Sequence, residues 1–573
     1  MERLFGEGLE MMRWIIIGGT LLVMTTMSSV LAAQNEAQQE SLEDVIKKAN
    51  AAGDTANVGE LGNKPERLEW LRDNGFGMFL HWGVDCQLGS VISHSLVGAS
   101  DDYVERYVNE LPQTFYPKKF DAGEYVRLAK TCGMKYVALT AKHHSGFCLW
   151  DTKTTEFNVM NTPYGKDIVR EFVDACHEYG MDVGLYYSPE DFLYARSRGE
   201  LIKRRPHRPS PDSDPEYVKY VRAQVTELMT NYGDIDVFFI DGRGKKTAKE
   251  VVWTLQPNCL ITRGAIETPE QKVPGLPPTG VWETCMTLGT QWQYKPQQLD
   301  TLKDGNRVIE ILIETRAKGG ALLLNLGPRP DGSINELQED IMRVWNFVNR
   351  EAVINVRPWI VTNEDNIWFT KNKDEDTVYV FLTKQKDWDR KERREFVIGS
   401  VEATDETEMT VLGHNGLVVE YTGWGPETVK PSFTQKEDGL HLSLLPGQRL
   451  LNSGAWRNPV VVKLTHVRAS CEPPQVITTK AKGATGKVTF HGELKDLGDA
   501  DSVQVGFEYQ EYLGFAENMY NDEWTSTELV MMTEPGEFSA TIDLPGDKTY
   551  QWRAVVKHPR VKMTGDHKQV SVR

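Results

Sequence analysis

Between residues 66 and 350 the chain alternates short, continuously apolar runs with longer stretches of helical period. The apolar runs are "FGMFLHWG" (76–83), "KYVALTAKHH" (135–144), "DVGLYYS" (182–188), "DVFFIDG" (236–242), "CLITRG" (259–264), "GVWETCM" (280–286) and "GALLLNLG" (319–326). Short, largely apolar runs of this kind fit strands covered on both faces of a parallel arrangement. In "DAGEYVRLAKTCG" the residues Tyr125, Leu128, Ala129 and Cys132 fall at i, i+3, i+4 and i+7. Asp121 is placed to cap this helix, and Gly133 to end it. Ile168, Phe172, Cys176 and Tyr179 repeat the stripe, closed by Gly180. Both helices pass through Gly-Met into a strand, "CGMKYVALT" and "YGMDVGLYY", 47 residues apart. A repeated βα unit of this kind predicts an α/β fold, a (β/α)8-like barrel over residues 66–352. A doubly wound sheet is the alternative, but no glycine-rich phosphate loop follows the first strand.

Beyond residue 352 the period changes to two. "DNIWFTKNKDEDTVYVFLTKQ" and "GLHLSLLPGQ" are short alternating strands broken by Gly, Pro and Asp, predicting a C-terminal β-sandwich over 353–468. A second β domain follows at 472–573. Its "VQVGFEYQEY", "GEFSATIDLPGDKTYQWRAVVKH" and "HKQVSVR" are similar to a fibronectin type III sandwich.

The N-terminal "MMRWIIIGGTLLVMTTMSSVLAAQ" has one Arg13, about a dozen apolar residues and then small ones. It reads as a signal peptide over 1–33, with Val30-Leu31-Ala32 as its cleavage motif, and implies a secreted or periplasmic protein. The acidic "MERLFGEGLE" is unlike the start of such a leader and points to initiation at Met11 or Met12. The apolar part is shorter than the ~20 residues that a membrane span needs, so no span is expected after cleavage. Residues 34–65 read as a linker. A net charge of −17 argues against a nucleic-acid partner. The seven cysteines show no metal-finger spacing and suit core positions.

Function in barrels of this kind collects at the C-terminal ends of the strands. Those ends carry His81-Trp82, His143-His144, Tyr186-Tyr187, Asp241, Arg263 and Glu283. Asp241 follows the apolar Val237–Ile240, where a charge is costly unless it is used, and Gly242 then allows close approach. Glu283 offers a second carboxyl, and a carboxyl pair is what glycoside hydrolysis requires. The two adjacent histidines converge on one ligand only where their strand breaks, at Ser145-Gly146. No metal-binding spacing is present, so sugar hydroxyl groups suit these imidazoles better than a cation, and no cofactor is expected.

Taken together, "FGMFLHWG", "KHHSGFCLWDT", "GLYYSPED", "DVFFIDG", "TPEQ", "WETCMTLGTQWQY" and "KGGALLLNLGPRPDG" resemble the alpha-L-fucosidase family, glycoside hydrolase family 29. The resemblance implies a retaining exo-glycosidase that removes terminal α-L-fucose from oligosaccharides or glycoconjugates through a covalent fucosyl-enzyme intermediate. It makes Asp241 the nucleophile. It places His81, His143, His144, Tyr187 and Arg263 around the sugar, with Trp82 and Trp292 as aromatic walls. Glu283 is the preferred acid/base, ahead of Glu270 and then Glu267. Two departures stand out: Phe239 occupies a position where many relatives carry Trp, and "SHSLVGASDDYVERY" replaces an expected Glu-Trp pair. A related α-L-glycosidase, for instance an α-L-galactosidase, and a non-catalytic fucose-binding protein are the alternative readings.

Overall fold

The structure, a computed structural model, describes residues 61–573 apart from 204–209, 297–302, 335–344, 390–391, 415–429, 448–457, 515–522 and 573. The expected leader and residues 34–60 of the expected linker lie outside the described residues.

All seven apolar runs contain strands: β1 (Phe76–Leu80), β2 (Tyr136–Lys142), β3 (Asp182–Tyr187), β4 (Val237–Ile240), β5 (Leu260–Ile261), β6 (Glu283–Thr287) and β7 (Ala321–Leu326). They form one parallel sheet in the order β5-β4-β3-β2-β1-β7-β6, the curled sheet of a TIM-like barrel. Among the described residues the sheet has seven strands rather than eight. Between β5 and β6 the chain "TRGAIETPEQKVPGLPPTG" is rich in Pro and Gly and cannot sustain a ladder. Single parallel bridges take its place, pairing Glu267 with Trp282 and Glu270 with Cys285.

The helices follow from their caps. Helix α1 (Pro65–Asn74) has proline in its first turn, where the missing N–H costs nothing. After α2 (Asp101–Asn109), the Asp121 carboxylate accepts from the Glu124 N–H at the start of α3 (Ala122–Thr131). Asp167 likewise accepts from the Arg170 N–H at the start of α4 (Ile168–Tyr179), which Gly180 closes. A short α5 (Phe192–Ser197) follows β3. Pro215–Thr230 (α6), Lys245–Leu255 (α7) and Gly305–Ala317 (α8) follow, and residues 345–349 are also helical.

Strand parity positions the site. Phe79, Tyr136, Ala138, Tyr186, Val237, Phe239, Leu260, Cys285 and Leu323 pack together inside the barrel. Their neighbours Leu80, Val137, Leu139, Tyr187, Phe238, Ile240 and Leu324 belong to the larger core under the helices. Because both faces are covered, both sets are apolar, and sequence periodicity could not tell inside from outside.

From Val356 onward the pairing is antiparallel. A five-stranded sheet and a three-stranded sheet, drawn from strands between Val356 and Ala469, enclose a core of Val378, Val380, Leu440, Leu442 and Val462. Strands from Gln475 to Val572 form two further sheets around Phe490, whose ring stacks on Trp552 at 4.6 Å.

Candidate active site

At the mouth of β4, Asp241 is the centre of a converging set of groups. Its backbone N–H donates to the Tyr187 carbonyl, which holds the residue at the strand end. Oδ1 accepts from Arg263 Nη1 at 3.1 Å and from the Gly242 N–H at 2.9 Å. Oδ2 accepts from the Tyr186 hydroxyl at 2.9 Å and lies 3.6 Å from His144 Nε2. Gly242 adopts φ +75°, and a Cβ there would sit 3.2 Å from the His144 ring. Burial pushes the Asp241 carboxyl up, but the Arg263 guanidinium and the Tyr186 hydroxyl outweigh it and hold the group well below the usual carboxylate range. The side chain keeps 24% of its surface open, so it is an ionised carboxylate within reach of a ligand.

Arg263 ties a second carboxylate to the first. The same Nη1 donates to Glu270 Oε2 at 2.9 Å, while the guanidinium lies over the Phe239 ring at 4.8 Å. Two oxygens bound to one nitrogen at 3.1 and 2.9 Å cannot be more than about 6 Å apart. Glu270 is 44% exposed and stands at the open end of the barrel.

Glu283, the carboxyl preferred from the sequence, is not brought to Asp241. It opens β6 rather than closing it, and its side chain is wholly buried inside the barrel, below the mouth where Asp241 stands. The Tyr136 hydroxyl, from the first residue of β2, donates to its Oε1. Tyr136 reaches it across Gly77, where a Cβ would fall 2.4 Å from the ring. Burial pushes the Glu283 carboxyl up to about 7. Glu267 is exposed, and its carbonyl accepts from the Glu283 N–H.

The histidines behave as expected from the break in their strand: β2 ends at Lys142, and both His143 and His144 turn to the same side. His143 stacks on Tyr186 with ring centroids 5.4 Å apart, and His81 meets Tyr186 edge-on at 5.3 Å. Trp292 stands 4.8 Å from His81 and forms a wall. Burial pushes His81 down to about 3 and His144 to about 4, so both rings are neutral near pH 7. The donor atoms of His143, His144 and Asp241 lie within 4.8 Å of one another, close enough to hold a metal by distance. Arg263 already places a positive charge on that carboxylate, and its repulsion disfavours a second cation there.

Two expected pocket residues face the other way. Trp82 packs on Phe115 and Phe120 under the helices. Tyr187 donates its hydroxyl to Gln224 Oε1 at 2.8 Å, and Lys142 lies over its ring. Each is the outward neighbour of an inward residue, His81 and Tyr186 respectively, as strand alternation requires. The sequence reasoning also missed Asn325, whose Oδ1 lies 2.6 Å from His81 Nδ1, and Ser93 and His94. His94, from the segment that follows β1, sits 5.8 Å from the His144 ring. Asn325 was visible as the one polar residue in "GALLLNLG"; Ser93 and His94 open "SHSLVGASDDYVERY", a segment that stood out only as a departure.

Residues 46–348 match the family model for Alpha-L-fucosidase. The chain belongs to this family. It is therefore a glycoside hydrolase that releases terminal α-L-fucose with retention of configuration. Tissue alpha-L-fucosidase of Rattus norvegicus is 28% identical over 388 residues, which cover 61% of this chain and 82% of that protein. The structure of alpha-L-fucosidase isoenzyme 1 from Paenibacillus thiaminolyticus superposes with a TM-score of 0.56 at 25% identity, over 70% of this chain and 98% of the other. The alpha-L-fucosidase from Vibrio sp. strain EJY3 gives 0.58 at 18% identity over 89% of this chain and 94% of its own, a likeness of fold that runs on into the antiparallel sheets. In this fucosidase Phe239 stands two residues before Asp241. Its ring packs on Phe79 at 5.0 Å and on Tyr186 at 5.5 Å and supports Arg263, a floor without a hydrogen-bond donor.

Proposed function

We propose that Asp241 is the nucleophile of this fucosidase and Glu270 its acid/base. The carboxylate of Asp241 attacks the anomeric carbon as the C1–O glycosidic bond breaks, and Glu270 gives its proton to the departing oxygen. Glu270 then takes a proton from the water that attacks C1, the ester bond opens, and Asp241 is released with α-L-fucose. Arg263 keeps both carboxyl groups in place, and Tyr186 keeps the nucleophile ionised. His81, His143, His144 and Trp292 surround the sugar. The observation that carries this reading is the shared guanidinium nitrogen. It holds the two bound oxygens, Asp241 Oδ1 and Glu270 Oε2, within about 6 Å of each other, in keeping with the close carboxyl pair, ~5–5.5 Å apart, that suits attack by the carboxylate itself.

Incubation with a 2-fluoro-fucosyl fluoride, followed by proteolysis and mass spectrometry, tests the assignment. The fluorosugar is expected as an ester on the peptide that contains Asp241, and an adduct on Glu270 or Glu283 would overturn it. The apolar leader supports export to the periplasm or the medium. The mature protein is expected to begin after Ala32 or Ala33, which N-terminal sequencing of the secreted form checks.

A further inference from the structure

The Nδ1 of each pocket histidine meets a partner whose own hydrogen bonds decide where the ring proton sits. Ser93 is wholly buried, with a left-handed φ of 54°, its N–H donating to Asp85 Oδ2 at 2.6 Å. Its Oγ accepts from the Ser145 N–H at 2.8 Å and lies 2.7 Å from His143 Nδ1. A buried hydroxyl donates its hydrogen, and Nδ1 is the acceptor within reach. His143 therefore carries its proton on Nε2.

Ser188 has the opposite polarity. Its hydroxyl donates to the Glu190 carbonyl at 2.7 Å, so the 2.6 Å contact with His144 Nδ1 takes its hydrogen from the ring. His144 Nε2 is then a bare lone pair, 3.6 Å from Asp241 Oδ2. Two acceptors facing each other leave a gap that suits the O–H of a substrate. At His81 the amide of Asn325 decides: its Nδ2 donates to the Trp292 carbonyl at 2.5 Å, so Oδ1 accepts from His81 Nδ1 at 2.6 Å. His81 Nε2 is also an acceptor.

We propose that Ser93, Ser188 and Asn325 are positioning residues that lock the three histidines in unlike tautomers, so that His143 donates to a sugar oxygen while His81 and His144 accept hydrogens from sugar hydroxyl groups. The pocket then reads the polarity of each contact as well as its shape, and His144 adds no positive charge beside the nucleophile. The assignment deepens the reading of this pocket as the fucose site and rests on it for what the rings face.

The test is a long-range 1H–15N spectrum of the full chain labelled at histidine, at pH 7 without substrate, with the three rings assigned by single substitutions. His143 is expected to carry its proton on Nε2, and His81 and His144 on Nδ1. Ser93→Gly, which suits the positive φ, is expected to convert His143 to a tautomer mixture and lower kcat/KM about tenfold. Ser188→Ala is expected to do the same to His144, and Ser188→Thr to restore both readouts. A proton on Nδ1 of His143, an imidazolium at His144, or unchanged tautomers in the serine variants would overturn the proposal. Because the spectra need no turnover, correct tautomers in a chain that fails to cleave fucosides would count against the function alone.

Discussion

Replacing Glu270 and Glu283 in turn separates chemistry from architecture. Glu270 shares Arg263 Nη1 with Asp241, whereas Glu283 is sealed inside the barrel below the site. General acid–base catalysis is worth ~10²–10⁴-fold, so Glu270→Ala is expected to lower kcat/KM on a fucosylated oligosaccharide by that factor. On a nitrophenyl fucoside, whose leaving group needs no proton, the same variant is expected to show a burst followed by slow turnover. Azide, which needs no base, then speeds release and gives α-fucosyl azide. Glu283→Gln keeps the shape of the side chain and an acceptor for the Tyr136 hydroxyl, and kcat/KM is expected to stay within about threefold. Its effect falls on stability. Burial raises the Glu283 carboxyl from 4.5 to about 7, so the folded state holds the proton more tightly than the unfolded chain. That contribution is complete below pH 4.5, is lost as the pH rises through 7, and amounts to about 3 kcal/mol. Urea unfolding of the wild type should show this slope, and Glu283→Gln should lack it. A Glu283→Gln enzyme that loses a hundredfold in kcat/KM with an unchanged unfolding midpoint would refute the reasoning, as would a Glu270→Ala enzyme with full activity on oligosaccharides.

Asp241→Ala is expected to lower turnover of a nitrophenyl fucoside by more than about 10³-fold, with azide partly restoring release as the inverted β-fucosyl azide; undiminished turnover would remove Asp241 from the chemistry. Tyr186→Phe deletes the donor 2.9 Å from Asp241 Oδ2. Without it the carboxylate is less stabilised and its pKa rises, so the acid limb of the kcat/KM profile should move to higher pH and the plateau should fall about tenfold; an unmoved limb contradicts this role. EDTA is expected to leave kcat unchanged, and inhibition reversed by a divalent cation would place a metal on His143, His144 and Asp241.

The residues whose type alone defines their use were legible in the chain: Asp241 after four apolar residues, Arg263, and the His143-His144 pair at a strand break. Glu283 was legible as a carboxyl but misread as to its end of the strand. The run "GVWETCM" begins at Gly280, yet the ladder of β6 begins at Glu283. The site therefore lies several residues further on, and a glutamate from the irregular bridge, Glu270, reaches it instead. Such a segment has no period, so nothing local says where its side chains go.

What the sequence alone determined was the set of seven strands, their parallel βα order, the caps of the helices and the family motifs, all of which follow from local period and residue type. Only the tertiary structure decided which member of each adjacent pair looks inward. In strands covered on both faces, Tyr186 and Tyr187, or His81 and Trp82, are equally suited to burial. Parity there is set by register against neighbouring strands, a long-range pairing that no window of sequence contains. The same holds for the hydrogen-bond polarity of the histidines. It depends on Ser93 and Asn325, which lie 50 residues from His143 and 244 from His81 along the chain, and which folding alone brings into contact.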